Sequence, residues 1–284
     1  MRLSDSDDDT PVAERGEYTP AESGTLPPEP ADEELTPDEY VAEVADLLER
    51  DPDAAGDAVG DLFTIAHDDE GATRVAAGEA LDAIGRRYPD ELAVWSELLA
   101  EAASDADDEV AFFALRALAQ LAAVSPQAAA KGRKAALDTL GAPDPDLRQA
   151  ALSVVAEVGP SDPDAVRRAD RPLSAALAAD DPAVRTAAAI AAGRLLGAAP
   201  GKFPRTATAL IDALADEDDR VRKYAILALA NFASEHPDNV PSKERAIAAL
   251  ASVTDDDLGL RRGATGEALS ALVSLTFEED AATG

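Results

Sequence analysis

Apolar residues fall at helical spacing along the chain, and the spacing itself recurs. After Thr36-Pro37-Asp38-Glu39, a helix-start signal with Thr at the N-cap and Pro at the first helical position, Val41, Val44, Ala45, Leu47 and Leu48 mark one helical face up to Asp51-Pro52. Beyond it the pattern settles into a period of 37 residues. A proline marks each period: Pro52, Pro89, Pro126, Pro163, Pro200 and Pro237. An acid stands eighteen positions after each proline, at Glu70, Asp107, Asp144, Asp181, Asp218 and Asp255. Four further on come Arg74, Ala111, Arg148, Arg185 and Arg222, with Arg261 following a two-residue insertion.

Each period reads as helix A, a short turn and helix B. In the fourth, Leu173, Ala176 and Leu177 form the inward face of helix A over Pro172 to Ala178. Asp181 then caps helix B, and Pro182 occupies its first position, where no amide proton is needed. Asp144-Pro145 repeats the device, and Asp107 and Asp218 lead acidic first turns that suit the helix macrodipole. Three residues after the arginine position Ala recurs (Ala77, Ala114, Ala151, Ala188, Ala225, Ala264), and seven after it stand Leu81, Leu118, Val155, Ala192, Leu229 and Ala268. These share one face of helix B, where A and B helices meet. The expectation is an all-α, right-handed α-solenoid of about six two-helix units over residues 52–277, with a capping helix over 37–51. Residues 1–36 hold few large apolar side chains and read as an acidic disordered tail, and 278–284 as a frayed end.

The run from Leu173 through Asp181-Pro-Ala-Val-Arg185 to Ala188, Ala191 and Leu195 resembles a HEAT repeat, of the type related to phycobilisome lyases. The resemblance covers about residues 52–275. It implies a ladder of Asp and Arg between neighbouring units, formed by Arg74, Arg148, Arg185 and Arg222 with Asp107, Asp144, Asp181 and Asp218. Ala111 removes one rung. It also implies that B helices line the concave side of the array.

Composition changes the picture in one respect. The 284 residues carry 57 Asp and Glu against 25 Lys and Arg, a formal net charge of -32. The charge is spread over every unit, which suits a salt-filled cytoplasm such as that of a halophilic archaeon, where at about 1 M salt the Debye length is roughly 3 Å. There is no cysteine, hence no disulfide, Cys-ligated zinc or thiol nucleophile. No apolar run reaches membrane-spanning length and the first residues are acidic, so a cytoplasmic chain without a membrane role is expected.

Catalytic chemistry finds little support. The two histidines, His67 and His236, are followed by Asp68 and Pro237, whereas HEAT-type hydroxylases bind iron through repeated His-Glu pairs. His67 with Asp68, Asp69 and Glu70 reads as a helix end rather than a metal site. Neither a phosphate-binding loop nor a nucleophile elbow occurs. No catalytic residue, cofactor or metal is expected.

Two surface features remain. On helix B, one, five and nine residues after the arginine position, lie Phe112, Arg116, Gln120; Gln149, Ser153, Glu157; Thr186, Ile190, Arg194; and Lys223, Leu227, Asn231. This stripe lies opposite the Ala face, is less acidic than the rest, and sets Phe112, Ile190 and Leu227 among polar groups, as partner-binding surfaces do. The alternative is that these side chains pack sideways between helices. The second feature is a basic ridge at the starts of the A helices: Lys131, Arg133, Lys134; Arg167, Arg168, Arg171; Lys202, Arg205; Lys243, Arg245. It either balances neighbouring carboxylates or follows a phosphate backbone; the strongly negative field and the lack of aromatics favour the former over nucleic acid. The function expected is a monomeric, non-catalytic scaffold or adaptor for another protein. The alternatives are a lyase-like or chaperone-like maturation factor, or nucleic-acid binding along the ridge.

Overall fold

The computed structural model describes residues 35–50, 57–69, 71–105, 107–252 and 264–283. The acidic segment 1–34, Pro52, Glu70, Asp255 and Arg261 lie outside them. Among the described residues all regular structure is helical: α1 (Pro37–Arg50), α2 (Val59–Asp68), α3 (Ala72–Arg87), α4 (Ser96–Ala102), α5 (Asp108–Val124), α6 (Pro126–Ala129), α7 (Arg133–Thr139), α8 (Pro145–Val158), α9 (Asp170–Ala176), α10 (Pro182–Ala198), α11 (Pro204–Ala213), α12 (Asp219–Glu235), α13 (Lys243–Ala251) and α14 (Ala264–Thr283), with short 3₁₀ turns between.

The elements pair as the period requires. α2/α3, α4/α5, α7/α8, α9/α10, α11/α12 and α13/α14 are A and B helices of successive units, each packed against its mate. The B helices stack side by side in the order α3, α5, α8, α10, α12, α14. A helices of neighbouring units meet likewise, as α9 and α11 do. Helix α1 packs on α3, in the place of a preceding B helix, and the Tyr40 hydroxyl donates to Asp61 Oδ2 at 2.7 Å to tie it to α2. Its start is a capping box: the Thr36 N–H donates to Glu39 Oε2 at 2.9 Å. That backbone bond, with the Thr36 hydroxyl, holds the Glu39 carboxyl below its ordinary value. The last helix runs on to Thr283, past Phe277, where the sequence pattern places the end of the final unit.

The recurring proline works at the end of each B helix. The residues before it (Tyr88, Ser125, Asp162, Ala199, His236) have φ from -159 to -132° and ψ from 56 to 77°, outside the helical well. Proline crowds the residue before it out of the α conformation and offers no N–H of its own, so α3, α5, α10 and α12 each stop two residues before it, while α8 ends sooner, at Val158, ahead of the turn that holds Pro160. The acids act at the other end. Asp181 Oδ1 accepts from the N–H groups of Ala183 and Val184 at 2.7 and 3.2 Å, Asp107 and Asp218 do the same for their helices, and Asp144 accepts from Leu147 N–H at 2.9 Å. Asp181→Ala should cost about 1 kcal/mol, read as a lower urea midpoint at unchanged slope.

One continuous core runs from Tyr40 to Leu272 between the two layers. Its B-helix side is built on the alanine column: Ala77, Ala114, Ala151, Ala188 and Ala225 are all at 0% exposure.

Candidate functional site

Neighbouring units are stitched by charge on both edges of the array, and the stitching decides which side chains remain for a partner. On the A–B turn edge the arginine ladder is uneven. Arg74 Nη1 donates to Asp107 Oδ2 of the next unit at 2.6 Å. Burial acts to raise the Asp107 carboxyl, but the N–H groups of Val110 and Glu109 and the Arg74 guanidinium outweigh it and hold it low. Ala111 leaves the next seam without an arginine. Arg148 shows a buried Nε with no hydrogen-bond partner. Arg185 pairs not with Asp218 but with Asp216, through Nε–Oδ2 at 2.8 Å and Nη2–Oδ1 at 2.9 Å, and reaches the carbonyls of Ala179 and Asp180. Arg222 reaches the carbonyls of Asp216 and Glu217 and the Asp219 carboxylate. The ladder expected from the resemblance, with each arginine on the capping acid of the next unit, is therefore followed by Arg74 alone among the arginines whose next acid is described. Local sequence does not set the choice: Asp105 stands before Asp107 as Asp216 stands before Asp218, and both caps commit Oδ1 to backbone N–H groups, so the backbone positions at the turn decide which acid the arginine reaches.

Much of the basic ridge is paired in the same manner, though Arg167, Arg171 and Arg205 form no ion pair among the described residues. Lys131 pairs with Glu97 at 3.0 Å, Arg133 with Asp162 at 3.3 Å, Arg168 with Asp138 at 2.9 Å and Arg245 with Asp212 at 2.8 Å, and Lys202 with Asp164. Apart from Arg133, which reaches forward, each acid sits on the unit before. The hydrogen bond from Lys134, opposed by burial and joined by Arg168, holds the Asp138 carboxyl below its usual range. Arg205 is exposed, with its backbone N–H at 3.4 Å from Asp170 Oδ2, and Lys243 is half-buried at the start of α13.

The helix-B stripe gathers into two grooves. Between α10 and α12 lies an open groove of about 780 Å³ with Ile190, Arg194, Leu227 and Asn231 on its walls, joined by Tyr224 and Glu235. Its floor is low because Gly193 meets Ala228: a Cβ on Gly193 would come to 2.8 Å from Ala228 Cβ and 3.1 Å from its Cα. Between α5 and α8 a smaller groove of about 220 Å³ is lined by Phe112, Arg116 and Gln149 with Asp146 and Ser153. Ile190 is 37% exposed, whereas Phe112 and Leu227 are half-buried, each presenting one edge and packing with the other. Thr186 departs from the stripe: it is 4% exposed, its hydroxyl donating to the Pro182 carbonyl at 2.8 Å. Lys223 is exposed on α12 outside the larger groove.

Two acids near the stripe are paired, while the exposed Glu235 of the larger groove forms no ion pair among the described residues. Glu157 accepts from Arg194 Nη1 at 2.6 Å across 37 residues, joining α8 to α10. Asp82, with its side chain 8% exposed, accepts from Arg116 and Gln120 at 2.5 Å each and pairs with Arg86 at 3.0 Å. The Arg116 guanidinium lies 5.4 Å from the centre of the Phe112 ring, a cation–π arrangement. Asp82, Tyr224 and Gly193 are absent from the sequence-derived stripe. For two of them a signal existed: eight residues after the arginine position the chain reads Asp82, Ala119, Ala156, Gly193 and Ala230, so an acid and a glycine interrupt a small-residue column.

His67 and His236 serve unit junctions. His236 Nε2 lies 2.8 Å from the Gly197 carbonyl, and His67 Nδ1 3.6 Å from Asp105. Among the described residues no group of three or more His, Cys, Asp or Glu is arranged to hold a metal ion. No described helix is long and apolar enough to cross a membrane.

No curated protein matches the sequence at a significant level. Solved structures share the architecture at low identity. An engineered protein from the Northeast Structural Genomics Consortium is 21% identical with a TM-score of 0.61, covering 76% of this chain and 98% of its own. A designed armadillo repeat protein is 18% identical with a TM-score of 0.62, covering 74% and 98%. A set of armadillo repeat proteins computationally designed for modular peptide recognition is 19% identical with a TM-score of 0.51, covering 81% and 98%. The family model for HEAT repeats matches residues 134–230 and again 169–270. Residues 134–270, from α7 into the last B helix, match the HEAT-repeat model, and the chain has the fold of a helical-repeat solenoid, similar to HEAT and armadillo arrays.

Proposed function

We propose that the chain is a non-catalytic interaction scaffold that holds a segment of another protein across its helix-B face, seated in the groove between α10 and α12. The observation that carries this reading is the composition of that groove. In a chain of net charge -32, it sets Ile190, Leu227 and Tyr224 beside Arg194 and Asn231, with Arg194 paired to the adjacent Glu157 and one exposed carboxylate, Glu235, at the rim. Apolar edges inside a polar rim are the usual anatomy of partner sites. Solenoids of this architecture have been designed for modular peptide recognition, and that supports an extended polypeptide as the occupant. The grooves are open rather than enclosed, which favours a surface for a macromolecule over the convergent pocket of a lyase-like factor. The net charge of -32 and the pairing of six A-layer cations with acids weigh against a phosphate backbone as the partner.

The test is affinity capture with the intact chain from an extract of its source cells at high potassium chloride, followed by measurement of the recovered partner's affinity. The triple substitution Phe112→Asp, Ile190→Asp and Leu227→Asp should weaken binding more than about 30-fold, the scale of one lost hot spot. Its circular dichroism should match that of the unchanged protein. Undiminished binding by a folded triple variant would remove the helix-B face as the docking site.

A further inference from the structure

Arg148 lies in the first turn of the third unit's B helix, and three counterparts show what an arginine at this position holds. Arg74 takes the Asp107 carboxylate through Nη1. Arg185 grips the Asp216 carboxylate with Nε and Nη2 and the carbonyls of Ala179 and Asp180 with Nη1. Arg222 grips the carbonyls of Asp216 and Glu217. Arg148 is half-buried and its buried Nε has no hydrogen-bond partner; the same is true of Arg74 Nε, but Arg74 has Asp107 on Nη1, whereas among the described residues no acid forms an ion pair with Arg148.

Register separates Arg148 from Arg185. Asp216 lies 31 residues after Arg185; the residue 31 after Arg148 is Ala179, which has no carboxylate to offer. Two other internal candidates remain: the exposed Asp180, which corresponds to Glu217 at 4.0 Å from Arg185 but forms no ion pair with Arg148 among the described residues, and Asp181, which stands to Arg148 as Asp107 stands to Arg74. Its Oδ1 is taken by the Ala183 and Val184 N–H groups, and among the described residues it forms no ion pair with Arg148. A guanidinium is always charged, planar and shaped for a two-oxygen acceptor, so an incompletely bonded one at a half-buried seam is a selective place for such an acceptor.

We propose that Arg148 is a recognition point for a carboxylate from outside the chain, which occupies at the seam of the third and fourth units the place that Asp216 fills at the next. The ligand class is a carboxylate, either an Asp or Glu side chain of a partner or a free carboxylic acid anion. The proposal is independent of the helix-B groove and stands or falls without it.

The test follows the arginine Nε–Hε signals of the intact ¹⁵N-labelled protein, with the Arg148 signal identified by its loss in Arg148→Lys. Sodium acetate is titrated against sodium chloride at equal ionic strength. Acetate should move the Arg148 Nε proton saturably downfield, at least about threefold further than chloride, while the occupied Arg185 signal stays in place. Ala179→Asp rebuilds the Asp216 register; in it the Arg148 signal should already be displaced and the acetate response should fall about tenfold. A capped peptide with one Asp, added in place of acetate, separates the sources: tighter binding than acetate assigns the site to a partner's side chain, and equal binding to free carboxylates. A shift equal with chloride, no saturable shift, or a full acetate response in Ala179→Asp would overturn the proposal. So would displacement of the Arg148 signal by Asp181→Asn without acetate, because Asp181 would then already hold the guanidinium.

Discussion

Leu118→Ala should lower the stability of the array by about 3–5 kcal/mol, the range for deleting a buried leucine whose surroundings cannot collapse. Leu118 lies seven residues after the ladder position of the second unit and is fully buried on α5. Its Cδ1 occupies the space that a Cβ on Gly132 would fill, so it spans the seam to the third unit. Few atoms can move into the gap, because the α5–α8 contact is made by backbones held close through Ala114 and Ala151. Each unit of a solenoid is held only by its neighbours, so the loss should be local before it is global. Hydrogen exchange is expected to quicken first in α5, α7 and α8, with α11 and α12 little changed, while urea denaturation reports the summed loss. Val124 lies on the same helix at 48% exposure, and Val124→Ala should change stability by less than about 0.5 kcal/mol. Equal effects from the two substitutions would mean that Leu118 does not hold the seam.

The second large effect is expected at Arg185 and Asp216, whose side chains are 9% and 10% exposed. Arg185→Met leaves the Asp216 carboxylate buried without its cation and frees the carbonyls of Ala179 and Asp180. Breaking a buried pair from one side costs about 3–5 kcal/mol, and the lower end applies at a turn edge that water can reach. Arg185→Met with Asp216→Leu should recover most of that loss, since the cost lies in the abandoned charge. The pair also sets a pH dependence. Burial acts to raise the Asp216 carboxyl, but the Arg185 hydrogen bonds, the Asp218 N–H and the nearby guanidinium charges prevail and hold it below its ordinary value. A depressed folded value means that the stabilisation is present above the unfolded value of about 3.9 and is lost as pH falls through the folded one. The gap in Tm between the unchanged protein and Arg185→Met should therefore hold steady from about pH 8 to 5 and close below about pH 4. Arg185 is raised by the same partnership, chiefly its hydrogen bonds to Asp216, and stays charged throughout that range. A gap that persisted at the lowest pH would assign the loss to packing of the arginine stem.

Much of this was legible in the sequence because capping and helix termination are local. Asp181 needs only the N–H groups two and three residues on, and Pro200 acts on Ala199 alone, so period and pattern place them without knowledge of the fold. The alanine column was legible for a related reason: close helix approach demands small residues at helical spacing, and Ala188 and Ala225 meet that demand wherever the neighbouring helix lies. Partner choice across a seam was not legible. Arg185 could reach either Asp216 or Asp218, two residues apart, and only the positions of the backbones at the turn decide between them. Thr186 was placed on the open stripe by spacing, yet its helix face turns into the contact between units.

The 37-residue recurrence, the two-helix unit, its caps and its small-residue face were settled by sequence alone, since each depends on residues within a few turns of one another. Tertiary structure decided how those faces come together. It put Gly193 against Ala228 to open a groove between Ile190 and Leu227, matched many of the ridge cations to acids, and set Arg185 on Asp216 rather than Asp218. Those outcomes depend on distances between residues some 29 to 38 apart in the chain, and spacing along a chain carries no measure of distance across a seam.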